Sequence, residues 1–414
     1  MANKSQAGIF YGWVIVAAGF IILSLAWGFQ YSYGVFFTEL CRDLDWTRTM
    51  VSGAYALFMF WHSITYLLAG RLNDKYGPRL TLAISIIALS VGYALMFIII
   101  APWELYIFYG VIIGTGNGFC FVPVTSTVSR WFTVRRGTAL GIAVAGIGIG
   151  ALALVPFAQF LISRFDWRSS YLIIAGILLV IGLPISRLMR LNPSEKGLLP
   201  DGVKEMVEGS KHNSLSSMID FTPKQAIKTK AFWLLFVVCA LLVFTVQMVM
   251  VHLKAYATDV DITPMVAATI LGFVGGASVL GRIVMGSASD KIGRKASFLI
   301  ACLLSAVMML WLLKARQPWQ FYLFSVIFGF GYGSWVPLFP AVIADWFGTK
   351  YHGTIYGMVM LASGIGGAIG SVLGGYVSDT MGSYDVAIVI GAAMAFIAAA
   401  CSFAFKAPEV GKAS

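Results

Sequence analysis

Two ten-residue stretches, GRLNDKYGPR at Gly70–Arg79 and GSASDKIGRK at Gly286–Lys295, decide the fold. Gly70, Asp74, Lys75 and Gly77 of the first match Gly286, Asp290, Lys291 and Gly293 of the second, and Arg79 and Arg294 complete the motifs. A second match follows each. Trp131-Phe132 and Gly137-Thr138 through Gly141 correspond to Trp346-Phe347 and Gly353-Thr354 through Gly357, with one extra residue in the later copy. The chain therefore repeats itself, and each copy fills about half of the 414 residues. Between the copies, 191–229 mixes Lys, Glu, Ser and Asp without an apolar period and reads as a linker. The expected division is 1–190, 191–229 and 230–414. Within each motif the glycines permit a tight turn and close backbone approach, and the aspartate can meet a basic group or a helix N-terminus.

Around the motifs the chain is apolar: 59% hydrophobic and 11% charged, with a mean hydropathy of +0.84. Soluble proteins are about 45–50% apolar and about 25% charged, so that class is excluded. A spanning helix takes roughly 20 apolar residues. Twelve such runs are present, at about 12–38, 50–69, 79–100, 103–129, 137–163, 169–189, 230–257, 264–288, 296–314, 318–344, 352–377 and 385–405. The expected fold is an all-α membrane protein, twelve transmembrane helices in two pseudo-symmetric six-helix bundles. Two parallel halves with a site between them is the architecture of a rocking secondary transporter. A channel fits less well, because a channel needs a symmetric filter or charged ring.

The net charge of +11 raises a nucleic-acid partner as a reading, and the placement of the charges removes it. With both termini cytoplasmic, most of the 29 Lys and Arg fall in cytoplasmic segments, Lys4 and Lys412 among them. Arg42, Arg48, Arg164, Arg168, Lys254, Lys314 and Arg316 fall on the other side. This is the positive-inside bias of a multi-pass protein of the plasma (inner) membrane. The first apolar run is too long for a cleavable signal peptide. Five scattered cysteines offer no disulfide framework or metal spacing, and neither cofactor nor metal is expected. One cation, Arg282, lies within a span.

The paired GxxxDxxGRK motifs, with Pro78 in place of the first copy's Arg, resemble the signature of the major facilitator superfamily. Within it, Tyr11-Gly12-Trp13 and the stretch WFTVRRGTALGIAVAGIGIG, Trp131 to Gly150, resemble the monocarboxylate transporter family, and the chain is similar to a bacterial-type homologue of its proton-coupled carriers. The resemblance covers all twelve spans. It implies symport of a proton with small monocarboxylates such as L-lactate and pyruvate by alternating access, in a chain that functions as a monomer. Two positions depart from the better-known animal members: their first-helix Lys falls on Tyr31, and the acid one turn before their eighth-helix Arg is Ser278. Both changes fall on the proton relay that the resemblance implies.

A cation in a span costs several kcal/mol unless it faces a partner or a cavity, which makes Arg282 the leading site candidate. Snorkelling is the alternative. The eighth helix runs inward, and side chains tilt toward their helix's N-terminus, which aims this guanidinium at the bilayer centre. Its planar fork suits the two oxygens of a carboxylate. Relatives that exchange oxalate and formate carry a second cation in the eleventh helix, and here that helix has none, so a monoanion is expected. Asn117 in GTGNGF and Tyr332 in GFGYGS are repeat equivalents near the midplane, read either as partners of the substrate or as helix-to-helix hydrogen bonds. Trp335, Phe119 and Trp27 read as apolar walls or as ordinary packing. Ser278 stands one turn from Arg282.

For the proton, His252, Lys254 and Asp259 cluster at the outer end of the seventh helix, and a histidine titrates near 6.5. They read as a coupling group or an outer gate, and for Lys254 and Asp259 an interfacial ion pair is the alternative. His62 has the same ambiguity; His212 and His352 are given no role. The Gly137xxxGly141 and Gly366xxxGly370xxxGly374 spacings read as close helix crossings. No HExxH, GxSxG or P-loop motif supports an enzyme. An exchanger of small organic anions and a non-transporting carboxylate sensor are the competing functions.

Overall fold

The computed structural model describes residues 10–201 and 220–408. Lys4, His212, Lys412 and the middle of the linker lie outside the described residues, as does the side chain of Arg48. Among the described residues twelve helices are long and apolar enough to cross a membrane: α1 Tyr11–Phe37, α2 Met50–Tyr76, α3 Pro78–Ile98, α4 Pro102–Trp131, α5 Arg136–Phe165, α6 Trp167–Ser186, α7 Lys230–Asp259, α8 Met265–Ile292, α9 Arg294–Leu312, α10 Pro318–Phe347, α11 His352–Ser378 and α12 Asp385–Phe403. They form two six-helix bundles related by the internal repeat.

The helices outrun the apolar runs. At 1.5 Å per residue a 30-residue helix is about 45 Å long, well beyond a hydrocarbon layer of about 30 Å. Gly70 and Asp74 therefore lie in the last turns of α2, and Gly286 and Asp290 in those of α8, although apolarity alone stops near the first glycine of each motif. The turns proper are Gly77 and Gly293, with φ of 84° and 86°, a backbone region that residues with a Cβ rarely adopt. Two spans are broken: α1 bends at Ser32, and α10 is interrupted at Val336-Pro337, where proline supplies no backbone donor.

Packing follows the repeat. In one bundle α1 lies along α5 and α2 along α4; in the other, α7 lies along α11 and α8 along α10. Between bundles, α5 packs on α8 and α11 on α2. Here the small residues bring backbones together: a side-chain carbon on Gly353 would come 2.8 Å from the Gly70 carbonyl oxygen, and one on Gly286 would come 2.5 Å from that of Gly137. These contacts run from Gly70 against Gly353 and Gly137 against Gly286 up to Gly148 against Val279 and Gly364 against Ser63, and stop there. Farther along α8, nothing lies within 4 Å of where a side chain on Gly272, Gly275 or Gly276 would begin. The bundles thus meet at the motif end and part toward the other, the mouth.

Candidate functional site

At the motif end the two bundles are held by a double clasp. The Asp74 carboxylate, on α2, accepts from Gly353 N (3.0 Å), Thr354 N (2.6 Å) and Thr354 Oγ1 (2.8 Å) at the start of α11. Its repeat equivalent Asp290, on α8, accepts from Gly137 N, Thr138 N and Thr138 Oγ1 at the start of α5, each at 2.8 Å. Each aspartate thereby satisfies the free N–H groups at the positive end of a helix in the opposite bundle. Arginines complete the arrangement. Arg130 donates to Asp74 at 2.8 Å and to the Lys350 carbonyl at 3.0 Å; Arg294 donates to Asp290 at 2.7 Å and, through Nε, to Asp345 at 3.0 Å. Arg136, from the first bundle, also donates to Asp345. The linker grips the same turns: Asp201 accepts from the backbone N–H groups of Thr133, Val134 and Arg135, and Asp220 from those of Thr349 and Lys350.

Above the clasp lies a cavity of about 120 Å³ between the bundles. Tyr31, Ile147, Arg282 and Tyr332 form its upper rim and also border a wider space of about 340 Å³ toward the mouth. Arg282 is 2% exposed. Its Nη2 lies 3.4 Å from the Tyr332 hydroxyl and its guanidinium carbon 5.4 Å from that ring's centroid, while Nε and Nη1 are buried without a partner. No other Lys or Arg, and no Asp or Glu, lines either space among the described residues. A buried guanidinium with two unpartnered nitrogens at the rim of a cavity presents N–H donors in the planar geometry that a carboxylate's two oxygens match.

The Major Facilitator Superfamily model matches residues 16–286 and 234–414. The chain belongs to that superfamily. Among curated relatives it is similar to monocarboxylate transporter 13 of Bos taurus, 26% identical over 92% of this chain and 86% of the relative. It is similar too to monocarboxylate transporter 12 of Mus musculus, 26% identical over 96% of this chain and 85% of the relative. Among solved structures, the superfamily transporter FucP in the outward conformation superposes with a TM-score of 0.72 at 17% identity, covering 95% of this chain and 98% of that one. The proton:xylose symporter XylE gives 0.72 at 12% identity, covering 95% and 96%. These two share the fold.

Within this superfamily fold the predicted residues separate into groups. Arg282, Tyr332, Tyr31, Trp27 and Trp335 meet around the central cavity, and Ser278 borders the wider space with its hydroxyl turned back onto the Gly275 carbonyl. Asn117 and Phe119 are buried but do not line either space; both amide atoms of Asn117 lack a partner. Farther up α7, His252 Nε2 lies 2.8 Å from the Ser371 carbonyl oxygen and its ring packs on Tyr384, all within the second bundle. Lys254 and Asp259 are exposed and make no ion pair with each other. Arg79 holds the carbonyls of Arg187 and Met189 at the end of the first bundle rather than bridging the two.

Sequence reasoning missed much of the cavity wall, including Tyr66, Phe121, Phe339 and Tyr356. Apolar side chains facing a cavity and those facing lipid have the same composition, so no local signal marked them. It also assigned nothing to Arg130, Arg136 and Asp345 beyond topology. His62, left ambiguous, sits with Nε2 2.6 Å from the Tyr66 hydroxyl, its ring stacked on Phe58 and edge-on to Trp27.

Proposed function

We propose that the protein is a secondary active transporter that carries a monocarboxylate together with a proton, L-lactate and pyruvate being the small substrates that the family resemblance implies. The observation that carries this reading is Arg282, among the described residues the single charged side chain on the two adjoining spaces, with a guanidinium only partly satisfied. One buried cation binds one carboxylate; a second carboxylate would stay unpaired in a low-dielectric site. An empty carrier must move this uncompensated charge between two arrangements, whereas a bound monoanion neutralises it. A proton taken along with the anion leaves the transported pair neutral.

In this reading the molecule lies in the plasma membrane with both termini cytoplasmic, so the clasp is on the inside and the arrangement described here is open outward. The units that rock are residues 1–190 and 230–414, with 191–229 between them. One chain supplies the whole site, so a monomer suffices.

The test is uptake of labelled lactate and pyruvate into proteoliposomes driven by a pH gradient. Native protein accumulates label with the proton gradient, and Arg282→Lys, which keeps the charge but loses the bidentate fork, falls by about 10- to 100-fold, the value of one or two charge-assisted hydrogen bonds. Normal uptake by this variant sinks the assignment of the site. Exchange of labelled for unlabelled anion with no effect of pH would instead make the protein an exchanger, and binding without any flux a sensor.

A further inference from the structure

Resting on the carboxylate reading of Arg282, we infer that the preferred substrate is a monocarboxylate with an apolar body of several carbons, seated carboxylate-up at Arg282 and body-down toward the clasp. The site is amphipathic along its depth. Arg282, Tyr31 and Tyr332 form the polar rim, and beneath them the space is walled by Trp27, Phe121, Val243, Trp335, Phe339 and Met360. None of the carboxylates among the described residues reaches this space, so an ammonium group on the substrate has no counter-charge. The amide best placed by sequence to recognise a hydroxyl or keto group, Asn117, does not line it. Of the lower polar groups, the Tyr66 hydroxyl is engaged by His62, which leaves the Tyr356 hydroxyl and Trp335 Nε1, the latter buried without a partner, on a wall that is otherwise apolar.

Size agrees with this chemistry. The lower space measures about 120 Å³. An apolar cavity of about 150 Å³ stays dry and takes up benzene, so this one suits a branched chain or ring of roughly four to six carbons. A three-carbon acid reaches Arg282 but leaves most of the aromatic wall uncovered, and forgoes the burial that makes such a wall a binding surface.

The experiment is isothermal titration of the detergent-solubilised full chain with L-lactate, 4-methylpentanoate, phenylacetate, phenylalanine and phenylacetamide. The two apolar acids are expected to bind at least tenfold more tightly than lactate. Phenylalanine, which adds an ammonium, and phenylacetamide, which removes the charge, are expected to bind at least tenfold more weakly than phenylacetate. In Val243→Phe, which fills the lower space, phenylacetate is expected to lose its advantage over lactate. Lactate binding as tightly as phenylacetate overturns the inference and leaves the carboxylate site standing, as does equal binding of phenylalanine. Binding of phenylacetamide equal to that of phenylacetate, or of no acid at all, overturns the carboxylate site itself.

Discussion

Replacing Tyr332 by Phe removes the hydroxyl that Arg282 Nη2 meets at 3.4 Å and keeps the ring beneath the guanidinium. A single hydrogen bond of this kind contributes about 0.5–1.5 kcal/mol, so the half-saturating concentration for uptake should rise about two- to tenfold with the maximal rate kept. A rise beyond about a hundredfold would mean that the hydroxyl contacts the substrate itself. The proton divides the two histidines. An imidazole that donates Nδ1–H to the Met59 carbonyl accepts the Tyr66 proton at Nε2, and Tyr66 borders the cavity, whereas His252 is committed to the α11 backbone. His62→Gln should abolish the stimulation of uptake by an inward proton gradient, and His252→Gln should keep it. The reverse pair of results returns the coupling to α7. At this scale Arg282 was legible because a cation in an apolar run stands out against its neighbours. Phe339 and Met360 were not, because nothing in an apolar run says which side of a helix meets a cavity.

The twelve spans were legible for a similar reason: hydropathy reports where lipid is. It does not report where a helix ends, which is why α2 and α8 continue through Asp74 and Asp290 into water and the motifs prove to be helix ends with a one-glycine turn. The break in α10 was likewise hidden, since Pro337 in an apolar run permits either a kink or an interruption. Gly137xxxGly141 at the start of α5 reads in the sequence as a generic helix crossing, but in the structure it is where one bundle touches the other, as Gly353 is at the start of α11, whereas Gly366, Gly370 and Gly374 pack on α7 within one bundle. Gly353→Val, which puts bulk against the Gly70 carbonyl, should therefore leave each bundle folded and hold the motif end apart. Expected are near-native thermal unfolding and at least a tenfold loss of transport. Native transport would show that α2 and α11 need not close to this distance.

For the molecule as a whole, the proposed rocking makes the clasp the contact that sets the balance between this arrangement and one open at the motif end. Exchanging Asp74 and Asp290 together for Asn weakens several charge-assisted hydrogen bonds. A shift of about 2–4 kcal/mol follows, enough to raise the open population by a factor of about 30 to 1,000. Cys239 lines the cavity above the clasp and is buried. With the other cysteines replaced, its alkylation by a maleimide added from the motif side should accelerate severalfold or more in the double variant. An unchanged rate would mean that the clasp does not hold the bundles shut. The two-fold relation behind the clasp was legible in the paired motifs; its departure from symmetry was not, because it depends on which charges come face to face. Arg130 and Asp345 occupy the same place in the two repeats and carry opposite charges, and Asp345 is what Arg136 meets from the first bundle. Two copies of the first bundle, arranged like the present pair, would set Arg136 against a second Arg130. Whatever duplication produced this chain, the first half can no longer make this contact with a copy of itself.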